Sequence, residues 1–115
     1  MVKFTVENID GITLISSLPK VLDASNAMDF KTDIGRILDE SNRVVFDMSN
    51  VKFIDSAGCG ALITSLRRLK GSGGTLKLYD VQKQVRSVFE LVRMHKVIDI
   101  FNTRQEALLS FSRES

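Results

Sequence analysis

The sequence predicts an α/β fold: a mixed sheet of four to five strands that opens with a hairpin, with about four helices packed mainly on one face. Three observations lead there. Apolar residues alternate at every second position in some segments and recur at helical spacing in others. After an initial pair of strands the two patterns take turns, the order that builds a sheet with helical crossovers. A chain of 115 residues that is 43% hydrophobic can bury one core and is short for two, so residues 1–115 are expected to form a single domain.

Phe4 and Val6, then Ile12, Leu14 and Ile15, follow strand spacing, and Asn8-Ile9-Asp10-Gly11 between them offers turn residues for a hairpin. Beyond Pro19, the only proline, Ala27, Phe30, Ile34, Ile37 and Leu38 recur at helical spacing opposite Asp29, Lys31, Asp33, Arg36, Asp39 and Glu40. Ser25 or Asn26 is expected to cap that helix. Residues Arg43 to Met48 are short, β-branched and apolar on both faces, as a covered central strand requires. Ser49-Asn50 turns the chain, and Val51 to Ile54 lead into a second helix whose apolar set is Cys59, Leu62, Ile63, Leu66 and Leu69. Gly71-Ser-Gly-Gly74 ends it. Thr75 to Tyr79 alternate again; Val81, Val85, Val88, Phe89 and Val92 predict a third helix, and Val97 to Phe101 a short last strand. Thr103 and Glu106 form a capping box ahead of Ala107, Leu108 and Phe111.

Composition removes several functions. The 16 Lys and Arg against 14 Asp and Glu leave a net charge of +2, interspersed along the chain, which does not point to nucleic acid. Arg67-Arg68 with Lys70 is the solvated face of a helix. Cys59 is the only cysteine, so no internal disulfide can form and a reducing compartment is the natural setting. It lies on an apolar helix stripe, and His95 sits among Val92, Met94 and Val97 without ligand-like spacing, so neither a Cys-His catalytic pair nor a metal site is expected. The Gly71–Gly74 stretch lacks the Gly-Lys-Ser/Thr ending of a phosphate loop and precedes a strand, so no nucleotide cofactor is expected there. No apolar run approaches the ~20 residues that cross a bilayer, and MVKFTVENID alternates where a signal peptide would be continuously apolar. A cytoplasmic protein with no direct membrane insertion is the expectation.

The stretch FIDSAGCGAL, Phe53 to Leu62, sets an acid and a hydroxyl at the mouth of the second helix. Asp55 or Ser56 can cap it, while Ala57, Gly58 and Gly60 permit a tight loop. Ser56 has no Gly-x-Ser-x-Gly elbow and the chain has one histidine, so hydrolase chemistry is not expected and the protein reads as no enzyme. A serine at a helix N-terminus is suited to carrying a phosphate, because amides and dipole stabilise the added charge of about −1.5 to −2. Asp55 beside it acts oppositely, repelling the phosphate and offering a negative surface to a partner. A receiver-type acceptor at Asp47 or Asp55 would need an acidic pair after the first strand to hold magnesium, and Glu7-Asn8-Ile9-Asp10 has the wrong spacing.

The motif Asp55-Ser56-Ala57-Gly58, followed by Cys59-Gly60, resembles the Asp-Ser-Ser/Thr-Gly signature of STAS domains in bacterial anti-sigma factor antagonists. Two further segments fit in order: Val21-Leu22-Asp23-Ala24-Ser25-Asn26-Ala27 resembles the family's loop ahead of the first helix, and Gly73-Gly74-Thr75-Leu76-Lys77-Leu78 its Gly-Gly-x-Leu-x-Leu strand. The resemblance implies a STAS-like domain whose unmodified form binds an anti-sigma factor, a serine kinase with its own ATP site, and so frees a sigma factor for transcription. It implies phosphorylation at Ser56, reversed by a metal-dependent serine phosphatase. It also implies a partner surface of Asp23, Ser25, Asp55, Ser56, Ala57, Gly58 and Gly60, with Asp23 near Ser56. Ala57 departs from the family's second hydroxyl, and Lys20 stands where the family often has glycine. Other STAS proteins are accessory subunits of lipid-transporting ABC systems or scaffolds in stress signalling, and this form of the motif is compatible with those roles.

Overall fold

In a computed structural model, which describes residues 3–112, the chain opens with strands β1 (Thr5–Ile9) and β2 (Ile12–Ser16). They pair antiparallel, Val6 opposite Ile15. Asp10 and Gly11 make the two-residue turn at φ 52° and 83°, the doubly left-handed conformation that matches strand twist. A two-residue strand β3 (Val21–Leu22) precedes helix α1 (Ala27–Leu38), strand β4 (Arg43–Asp47), a second short strand β5 (Phe53–Ile54) and helix α2 (Ser56–Gly71). Strand β6 (Thr75–Tyr79), helix α3 (Lys83–Leu91), a 3-10 turn at Met94–Lys96, strand β7 (Asp99–Phe101) and helix α4 (Arg104–Ser112) complete it.

The main sheet has the order β1-β2-β4-β6-β7, with every pair after the hairpin parallel. Each parallel step is bridged by one helix, and α1, α2 and α3 bury the same face over Ile15, Val44, Phe46, Leu76 and Leu78. Helix α4 alone covers the other face, where Ala107 and Phe111 close over Ile12, Leu14, Val45 and Tyr79. The predicted central strand, apolar on both sides, is therefore β4, with Val44, Val45 and Phe46 fully buried. Helices α1 and α2 pack side by side, joined by a fork of Arg68 Nε and Nη2 donating to the two Asp39 oxygens at 2.9 and 2.8 Å. That guanidinium holds the Asp39 carboxyl below its ordinary range and lies against Gly35.

Several boundaries differ from the sequence expectation, each for a tertiary reason. The third helix is shorter, because Val81 is buried ahead of it and Val92 is its exposed C-cap. The last strand begins at Asp99, after the 3-10 turn. Lys77 alternates as though for solvent, yet α4 covers it to 2% exposure. Its ammonium donates to Ser110 Oγ at 2.8 Å and stands 4.2 Å from the Phe111 ring centroid, so charge and hydrogen bond are both met. Neither Ser25 nor Asn26 caps α1 by its side chain. Asn26 instead accepts from the Asp23 amide and donates to the Val21 carbonyl, tying the preceding loop together.

Candidate functional site

Strands β3 and β5 form a separate parallel pair, Val21 beside Phe53 and Leu22 beside Ile54. The Lys20 carbonyl accepts from the Lys52 and Phe53 amides at 2.7 and 3.2 Å, and the Asp55 amide reaches the Leu22 carbonyl at 3.4 Å. This small ladder brings the loop before α1 against the start of α2, segments about thirty residues apart in the chain. Leu22 and Ile54 point into the core, while Val21 and Phe53 remain 40% and 53% exposed as an apolar pair beside the helix mouth. Sequence reasoning missed that pair, since two residues are too few for a strand period to register.

Asp55 is the N-cap of α2, extended at φ −119° and ψ −171°. Its Oδ1 accepts from the Gly58 amide at 2.9 Å, the expected local cap. Its Oδ2 accepts from the Ala24 amide at 3.1 Å, across 31 residues. The cap expected of Asp55 or Ser56 therefore falls to Asp55, and both of its oxygens hold backbone amides. The expected tight loop is corrected, because Ala57, Gly58 and Gly60 lie within the helix and form no loop. A Cβ on Gly58 would stand 2.2 Å from the Leu22 carbonyl oxygen and 2.6 Å from Ile54 Cγ1, so only glycine allows α2 to sit on β3. Gly60 is exposed with open space above it.

Ser56 is the first residue of α2 and is exposed. Among the described residues its hydroxyl has no hydrogen-bond partner, and the Ser56 and Ala57 amides at the helix mouth have no intrahelical acceptor. Asp23 lies in the loop that Asp55 holds; its Oδ1 accepts from the Ser25 amide at 2.9 Å and from the Ser25 hydroxyl. The structure therefore brings Asp23, Ser25, Asp55, Ser56 and Gly60 to one end of the molecule, with Ala57 half-buried against the core and Gly58 beneath the surface.

Other reactive groups lie elsewhere. Cys59 is buried within α2, and burial, with the nearby Asp55 charge, pushes its thiol up to about 11. His95 is exposed on the 3-10 turn, at a shallow groove of about 350 Å³ shared with Val81, Arg86 and Phe89. Tyr79 donates to Asp47 Oδ2 at 3.0 Å, and burial raises its hydroxyl well above the usual phenol range. Among the described residues, no group of three His, Cys, Asp or Glu could hold a metal ion, and no helix is long and apolar enough to cross a membrane.

An α/β sheet with three helices on one face, and a capped serine-led helix at one end of it, defines a small scaffold that presents a loop-and-helix-start surface. Residues 3–107 match the STAS domain model, and the chain belongs to that family. It is 30% identical over 110 residues to BtrV of Bordetella bronchiseptica, provisionally designated an anti-sigma factor antagonist, covering 95% of this chain and 94% of BtrV. It also superposes on the crystal structure of a Thermotoga maritima protein with the same provisional designation. The TM-score is 0.82 at 25% identity, over 93% of this chain and 92% of that one. The anti-sigma factor antagonist SpoIIAA in its unphosphorylated form shares the fold, at a TM-score of 0.76 and 19% identity, over 98% of this chain and 99% of SpoIIAA.

Proposed function

We propose that this protein is an anti-sigma factor antagonist controlled at Ser56. Its unphosphorylated form binds a serine-kinase anti-sigma factor through Ser56, Asp23, Ser25, Gly60 and the exposed Val21–Phe53 pair, and thereby frees a sigma factor. The observation that carries this reading is the Ser56 hydroxyl, exposed and unbonded on the first residue of a capped helix. The relatives' designations support it.

In this reading the chain is a binding protein that supplies the acceptor hydroxyl. The partner kinase provides ATP. Ser56 Oγ attacks the γ-phosphorus, the bond to the bridging oxygen breaks with ADP as leaving group, and a base of the kinase takes the hydroxyl proton. The phosphate then sits among the free Ser56 and Ala57 amides, which tolerate it in this chain. In a partly desolvated interface it meets whatever faced the neutral hydroxyl, and binding weakens. A metal-dependent serine phosphatase restores the hydroxyl, and the cycle runs in the cytoplasm.

Incubation with the kinase and ATP should add one phosphate, located at Ser56 by mass spectrometry and absent from Ser56→Ala; full phosphorylation of that variant would overturn the assignment. Ser56→Asp should weaken kinase binding by about 2 kcal/mol or more, roughly thirty-fold. Equal affinity of the two forms by calorimetry would refute the switch.

A further inference from the structure

Asp55 joins the two halves of the candidate surface through a single carboxylate. One oxygen caps α2 at the Gly58 amide and the other holds the Ala24 amide of the loop that carries Asp23 and Ser25. On the helix side the fit is tight, since Gly58 lies under the Leu22 carbonyl with no room for a Cβ. Residues 23–26 are otherwise held by their own local bonds: the Asp23 carboxylate to Ser25, the Asn26 side chain to Asp23 and Val21, and the Asp23 carbonyl to the Asn26 and Ala27 amides. These bonds shape the loop without fixing it to α2. Within residues 23–25, the Ala24–Asp55 bond is the one hydrogen bond among the described residues that reaches α2.

We propose that Asp55 is a positioning residue that keeps the Asp23–Ser25 loop in register with Ser56, and that a phosphate on Ser56 is transmitted to that loop through Asp55. The proposal rests on the reading of Ser56 as the phosphoacceptor. The physical step is short. A phosphoserine of about −1.5 to −2 charge adjoins a carboxylate that already holds two amides, and it offers three acceptor oxygens at the same helix mouth. Repulsion displaces the carboxylate, and the cap at Gly58 is recoverable because phosphate oxygens also suit a helix N-terminus. The Ala24 amide, drawn from another segment, has no such substitute. Phosphorylation therefore loosens the loop while leaving α2 intact, so that the partner loses a preformed surface as well as meeting a new charge.

Four forms of the full chain test this: wild type, phosphoserine at position 56 installed during translation, Asp55→Asn, and the two combined. Installing phosphoserine this way removes any dependence on a kinase, so failure of the Ser56 reading in cells would leave this result standing, and the reverse. Asparagine can still cap Gly58 through its carbonyl oxygen, but its NH₂ cannot accept from Ala24. Amide hydrogen exchange followed by NMR should show Ala24 protected in the wild type. Its exchange should quicken roughly tenfold, about 1.4 kcal/mol, on phosphorylation and on Asp55→Asn alike. Adding the phosphate to Asp55→Asn should then have little further effect at Ala24, and Gly58 should stay protected in all four forms. An Ala24 amide that exchanges equally fast in wild type and phosphorylated protein would overturn the proposal. So would an Ala24 unaffected by Asp55→Asn, or a full phosphate effect at Ala24 in the Asp55→Asn background.

Discussion

Helices α2 and α4 both begin with an oxygen side chain that accepts from the amide three residues on, yet the two starts are built differently. At α4 the Thr103 hydroxyl accepts from the Glu106 amide at 3.1 Å, and the Glu106 carboxylate returns to the Thr103 and Asn102 amides at 3.2 and 3.1 Å. Every partner lies within four residues. At α2 the Asp55 carboxylate caps Gly58 and also reaches Ala24. The first is a self-contained helix stop; the second is a junction between two parts of the fold. A local cap stabilises its own helix, whereas a junction couples its helix to whatever it holds.

The largest effect should follow from breaking the fit beneath the junction. Gly58→Ala forces a methyl against the Leu22 carbonyl and should cost about 3 kcal/mol in urea unfolding, since backbone rather than a flexible side chain must yield. Removing the two caps should then separate the regions. Asp55→Ala loses a cap and leaves a second amide unmatched, for about 2 kcal/mol, whereas Thr103→Ala loses only a local bond, for about 1 kcal/mol. Equal costs would mean that the Ala24 contact adds nothing to stability. Gly60→Ala, exposed within α2 with open space above it, should instead stabilise by about 0.5–1 kcal/mol. That variant sharpens the functional side, because a methyl there should still lower affinity for the kinase if Gly60 faces the partner.

The last effect concerns pH. Burial, with the Asp55 charge added, raises the Cys59 thiol from 9.0 to about 11. A group whose folded pKa is raised contributes stability that is complete below its unfolded value and lost as pH climbs toward the folded one. Stability should therefore fall between about pH 9 and 11, and Cys59→Ala should flatten part of that fall in denaturation midpoints measured across the range. Tyr79, shifted in the same direction by burial and by Asp47, contributes to the remaining slope above pH 10.

The legibility of the two starts in the sequence follows the same division. Thr103-Arg-Gln-Glu106 was readable because all of its partners lie inside one turn, and the structure forms that box. Asp55-Ser56 was readable as a cap and, through the flanking segments, as a STAS signature. The reach of Asp55 to Ala24 was not, because it depends on β3 pairing with β5, and a two-residue strand leaves no periodic trace. Asn26 misled for a related reason: its residue type suits a cap, but the Val21 carbonyl and Asp23 amide lie closer to hand.

By itself the sequence determined the four helices and the five strands of the main sheet, a hairpin turn within Asn8–Gly11, the two-sided burial of β4 and the placing of Ser56 at a helix start. These follow from spacing and side-chain type within a few residues, where local physics acts alone. Only the tertiary structure decided that Lys77 would be buried under α4, that Gly58 had to be glycine, and that one carboxylate would bind a loop and a helix start into one surface. Those depend on which strands become neighbours, and the order of the sheet brings together residues that the chain keeps about thirty positions apart.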